Sequence, residues 1–153
     1  MSYRILIAGG LSAALATVAI AGGHGGNPAV KARQSHMQLY QHNLAVLGGM
    51  AQGEIEYDAE AAQIHADNLL AVASLDERGY WTEGTAAGEV EGSRALPAIW
   101  EDMAGFEEDK ADMITAASAM AEAAGTGLEA VQANIRAVGQ ACGACHQGYR
   151  QRN

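Results

Sequence analysis

Leu128, Val131, Ile135, Val138, Cys142 and Cys145 follow one another at intervals of 3, 4, 3, 4 and 3 residues, the spacing of a single face of an α-helix. No other stretch constrains the fold as much, because its last two members are the only cysteines in the chain. Whatever the thiols bind must lie against the surface that packs the core. Both belong to Cys142-Gly143-Ala144-Cys145-His146, a C-x-x-C-H run with the spacing of c-type haem attachment. At about 100° per residue the two thiols stand roughly 60° apart on a helix, with the imidazole roughly 40° beyond the first, so all three share one arc. That arc suits two sulfurs meeting the vinyl groups at one porphyrin edge while a histidine reaches the iron. Two other readings compete. A redox C-x-x-C belongs in a strand-and-helix pattern, and no strand pattern is visible. A structural zinc site needs about four Cys or His ligands, and His24, His36, His42 and His65 show no ligand spacing.

The N-terminus reads as an export signal. Arg4 precedes an apolar run from Ile5 to Ile20, and Ala19-Ile20-Ala21 offers an A-x-A cleavage site. An uncleaved anchor is the alternative, but the run falls short of the roughly 20 residues a span needs. Cleavage after residue 21 leaves residues 22–153 as one domain, placed in the periplasm, with no further segment able to cross a membrane. The net charge of −9 argues against nucleic acid, which selects basic surfaces, and is compatible with electrostatic steering towards basic partners. One Phe and two Trp leave aromatic filler scarce, a lack that a large planar cofactor would supply.

Four amphipathic segments follow the glycine-rich residues 22–26, among which His24 reads as a bystander. The first helix should open at Asn27-Pro28 and run to about Gly53, with Val30, Met37, Tyr40, Leu44, Leu47 and Ala51 inward and Arg33 on the same stripe. Asp58 should cap a second helix over about 59–76, with Ala62, His65, Leu69 and Val72 inward. Residues 77–95 form the longest connection. A third helix is expected over about 96–124, weakened at Gly105, with Trp100, Phe106, Met113, Ala117, Met120 and Ala124 inward. The fourth carries the cysteines. The fold class is all-α, an up-down-up-down four-helix bundle with one covalent haem c.

C-x-x-C-H in the last turns of a fourth helix resembles the cytochrome c′ family, the class II c-type cytochromes. Arg33-Gln34 with Met37 resembles that family's first-helix R-Q-x-x-[L/M] pattern, and Gly53-Glu54 with Tyr57-Asp58-Ala59 its turn into the second helix. Pro97-Ala98-Ile99-Trp100 with Phe106 resembles the start of its third, and Cys142 to Arg150 its C-x-x-C-H-x-x-Y-R ending. The resemblance implies thioethers at Cys142 and Cys145, a proximal iron ligand at His146, and Arg33 and Gln34 near the haem propionates. It also implies Met37 over the distal face, and homodimers through the first two helices. Arg150, one turn after His146, either covers the proximal side or complements the helix terminus.

Two functions of different class follow, and neither is an enzyme's. With His146 and Met37 both on iron, the protein is a periplasmic cytochrome that carries electrons to and from redox proteins. With the distal side open, it binds or scavenges NO or CO. Met37 divides the two readings, since a methionine on a helical stripe also serves as core filler. Met50, Met103, Met113 and Met120 are weaker candidates for the sixth ligand, and His36 and His42 are the other side chains that could approach the iron.

Overall fold

The computed structural model describes residues 26–152; the expected leader and His24 lie outside them. The helices are α1 (Pro28–Gln52), α2 (Ala59–Ala73), α3 (Ala98–Glu101), α4 (Met103–Ala123) and α5 (Leu128–Tyr149), with a single 3₁₀ turn at Ala124–Thr126. The long four pack in a closed ring, α1 on α2, α2 on α4, α4 on α5 and α5 on α1. This is the four-helix bundle expected from the stripes. Its core holds Leu47, Met50, Leu69, Met113, Met120, Val131 and Val138, with Ala62, Ala66 and Ala117 between them. The alanines let neighbouring helices approach closely enough for the larger side chains to interlock.

Local chemistry sets the ends. The Asn27 side chain accepts from the N–H groups of Ala29 and Val30 at 2.9 and 3.3 Å, and Pro28 occupies the first turn, where its missing N–H is not needed. α1 stops at Gly53, whose φ of 76° is left-handed and favours glycine. The Asp58 carboxylate accepts from Ala61 N–H at 2.7 Å and starts α2.

Three boundaries and faces differ from the sequence reading. The third helix is broken, and the break is at Asp102 (φ −134°, ψ 64°), not at Gly105. Asp102 turns its carboxylate onto Gly105 N–H at 3.0 Å and caps α4 afresh, which a straight helix would not permit. Gly105 instead makes room, since a Cβ there would sit 2.9 Å from the Tyr149 hydroxyl. α2 ends at Ala73, short of Asp76, where Ser74 leaves helical geometry and the chain turns back through Tyr80 N–H to Glu77 C=O. On α1 the buried face also takes in His36 and Asn43, polar residues that stay inside because each has specific neighbours across the bundle. Met37, expected inward, is 37% exposed.

The connection from 74 to 97 is irregular but pinned. Ala95 pairs with Arg150 in an isolated antiparallel bridge, Leu96 N–H donates to Tyr149 C=O at 2.9 Å, and Gln151 N–H donates to Arg94 C=O at 2.8 Å. The end of α5, with its C-x-x-C-H run, is thereby tied to the segment that closes the bundle.

Candidate functional site

One cavity of about 670 Å³ opens between α1, the 77–95 connection, α4 and α5. Its size lies within the roughly 300–1,000 Å³ of small-molecule and cofactor sites. Cys142, Cys145 and His146 line it from α5, and Arg33, Gln34 and Met37 line it from α1. All six residues singled out in the sequence therefore reach the same space. Val30, Leu44, Ile99, Phe106 and Met113 give it apolar walls. A shallower cleft of about 360 Å³, bordered by Arg94, Arg150 and Arg152, lies against His146 as well.

The thiols are held protonated. Both are half-buried and free, and Cys142 Sγ lies 4.0 Å from Met113 Sδ. Burial raises the Cys142 thiol. Cys145 is pushed up to about 12, by burial first and then by Asp109, Glu77 and Cys142. Dithiol redox motifs work through a lowered thiol pKa, so the shift opposes that reading. Among the described residues no group of three His, Cys, Asp or Glu is gathered at metal-holding distance, which opposes structural zinc. His146 is held neutral by burial first and then by Arg150 and Arg94, the protonation state a metal ligand requires. Its Nδ1 lies 3.4 Å from Arg150 Nη1, so a cation, not a carboxylate, stands behind the imidazole.

Arg33 is buried, 6% exposed. Its guanidinium donates to Thr85 Oγ1 and to Thr85 C=O, each at 2.9 Å, and to Ser93 Oγ at 3.3 Å. It also lies 5.0 Å above the Trp81 ring. Among the described residues none of its partners is an anion. A buried cation satisfied only by neutral acceptors is costly, and it fits a cofactor that brings its own carboxylates. Gln34 donates its amide to Gly92 C=O at 3.0 Å, holding the connection against α1. Of the other methionines, Met113 also lines the cavity, beside Cys142, whereas Met50 and Met120 sit in the core.

Sequence reasoning missed the residues that the connection contributes. Glu77 is buried at the cavity wall, accepts from Trp81 Nε1 at 2.9 Å, and lies 3.5 Å from His36 Nε2. His36 packs on Tyr40, ring centroids 4.9 Å apart. It does not line the cavity. Trp81 was the available signal, a large aromatic in a glycine-rich loop of a chain with few aromatics; Glu77, Thr85 and Ser93 carried none.

Two histidines, buried His36 and half-buried His65, give the fold a pH dependence. His36 and His65 are both lowered, chiefly by burial, with Glu77 partly opposing the shift at His36 and His42 adding to it at His65. The unfolded chain therefore takes up protons first as pH falls through about 6.5. Stability is fully present above that value and declines on acidification. Denaturant midpoints at about pH 7.5 and about pH 5.5 should show the lower value at the acid end; a higher acid midpoint would contradict these assignments.

Comparisons with known proteins identify the family. A family model described as Cytochrome C′ matches residues 28–150. The chain belongs to the cytochrome c′ family. It is 45% identical over 124 residues to cytochrome c-554 of Cereibacter sphaeroides, covering 81% of each chain. It is 35% identical over 147 residues to cytochrome c′ of the same organism, covering 96% of this chain and 97% of that one. Among solved structures, a cytochrome c′ from "Rhodobacter Spheriodes" superposes with TM-score 0.79 at 34% identity, over 82% of this chain and 96% of the other. A nitric oxide complex of a point mutant of cytochrome c prime from Alcaligenes xylosoxidans superposes with TM-score 0.70 at 29% identity, over 81% and 94%. The cofactor of this cytochrome c′ homologue is accordingly haem c, bound covalently, and the cavity fits it on its own evidence. Two protonated thiols, a neutral imidazole and a buried guanidinium without a protein anion meet in one apolar space.

Proposed function

We propose that this chain is a periplasmic electron carrier, exported by its leader, with His146 and Met37 as the two axial ligands of the iron. Cys142 and Cys145 hold the porphyrin through thioethers, and Arg33 and Gln34 face its propionates. When bound, the haem supplies a one-electron Fe(III)/Fe(II) couple. The chain's part is to fix the macrocycle, keep water from it and set the charge around it. The observation that carries the reading is that Met37 and His146, on α1 and α5, border one cavity. Similarity to cytochrome c-554 supports it. Among the described residues no helix is long and apolar enough to cross a membrane, in keeping with a carrier free to meet redox proteins. A homodimer through α1 and α2 belongs to the same reading.

A second reading, five-coordinate iron that takes up NO or CO, draws on the nitric oxide complex of the Alcaligenes xylosoxidans relative and on the partial exposure of Met37. Spin state separates the two, since a bound thioether makes the ferric protein low-spin at neutral pH.

Arg33 offers a separate test. Its positive charge favours the ferrous state over the more positive ferric one, so Arg33→Gln should lower the reduction potential by roughly tens of millivolts. Arg33→Lys should restore most of it. Redox titration of folded variants checks this, and a potential unchanged in Arg33→Gln would return Arg33 to a purely structural role.

A further inference from the structure

His42 and His65 are 23 positions apart in sequence and on different helices, yet their ring centroids stand 5.4 Å apart. Two imidazoles that share a metal about 2.0–2.1 Å from each coordinating nitrogen have centroids roughly 5 Å apart; the rings here meet edge to face at 64°, and a turn of the exposed His42 side chain would bring its nitrogen towards the same point. We propose that His42 on α1 and His65 on α2 form a binding site for a divalent late transition metal such as Zn²⁺, separate from the haem. Neither residue lines the haem cavity.

The tautomer is what makes the pair a site. Asn43 is buried, and its Nδ2 donates to Leu39 C=O at 2.8 Å. That bond fixes the amide, since the reverse orientation would set two oxygens against each other. Asn43 Oδ1 is therefore the atom 2.9 Å from His65 Nδ1, and being an acceptor it requires the proton on Nδ1. The Nε2 lone pair of His65 is left bare. A ligating histidine whose second nitrogen donates to a fixed acceptor is the usual arrangement around protein-bound metals. His42 is exposed. No third His, Cys, Asp or Glu completes a set among the described residues, so water would complete the coordination and binding is weaker than at a four-ligand zinc site. Imidazole suits zinc, copper and nickel over magnesium or calcium, and the acidic chain, at −9, draws cations to its surface.

Zinc titration calorimetry on the haem-loaded protein tests the site, in a His24→Ala background that removes a competing histidine. One zinc per chain is expected, with at least about tenfold weaker binding after His42→Ala or His65→Ala. Zinc should also raise the thermal midpoint of the parent and leave that of His42→Ala unmoved, because only a ligand of the folded state stabilises it. His42 is exposed, so its replacement leaves the fold intact. Absence of saturable binding, or equal binding by His42→Ala, would overturn the proposal. Magnesium titrated in the same way should give no saturable heat, and a matching magnesium isotherm would reduce the effect to general charge attraction.

Discussion

Replacing both Cys142 and Cys145 by serine should yield a protein without covalent haem and with little stable tertiary structure. The cavity of about 670 Å³ is bordered by Val30, Leu44, Ile99, Phe106 and Met113, and without the porphyrin it is left unfilled. Unfilled volume in a core destabilises roughly in proportion to its size, and even modest cavities cost about 2–5 kcal/mol. A domain of this length holds only about 5–15 kcal/mol in total. On the proposed reading Arg33 adds to the loss, because its buried charge would lose its propionate partner. Intact-mass analysis should show one haem on the parent and none on the variant, and a denaturant melt should lose its cooperative transition. A haem-free variant as stable as the parent would mean that the cofactor does not fill the core.

Met37→Ala should convert a low-spin ferric protein to a high-spin one and open it to rapid CO and NO binding. Met37 is 37% exposed on α1 while bordering the cavity, so its removal leaves little void and the fold should persist. The neighbouring His36 does not offer a ready replacement. It is turned into the bundle against Tyr40 and Tyr80 and towards Glu77. Met113, the other methionine at the cavity, lies against Cys142, where a thioether to the porphyrin edge is expected. Stopped-flow CO binding to the ferrous forms gives the contrast directly: slow in the parent, faster by orders of magnitude in the variant. Equal rates would remove Met37 from the iron.

What was legible in the sequence is what short-range periodicity and local backbone preference encode. The 3/4 spacing from Leu128 to Cys145 placed α5 and its thiols, and Asn27, Gly53 and Asp58 marked helix ends through local hydrogen bonds and left-handed geometry. Periodicity put Arg33 and Met37 on the inward stripe of the first helix, but their roles at a cofactor, and Gln34 altogether, were reached only through resemblance to a family. What stayed hidden is long-range. The acceptors around Arg33 come from Thr85 and Ser93, 52 and 60 residues away, in a stretch whose composition signals only a loop. Asp102 breaks the third helix because the chain around it is tied to Trp81 and to α5: Trp100 Nε1 donates to Trp81 C=O at 3.0 Å, and Leu96 N–H donates to Tyr149 C=O. The burial of Asn43 depends on His65, across a helix pair that no local rule joins.

The central claim, that His146 and Met37 share the iron of an electron carrier, is tested most directly by the spin-resonance spectrum of the purified ferric protein at neutral pH. Six-coordinate iron with a histidine and a thioether gives a low-spin spectrum, and that is the predicted result. A high-spin spectrum would contradict the claim, leaving Met37 as a shield over an open site and the binding of NO or CO as the better account.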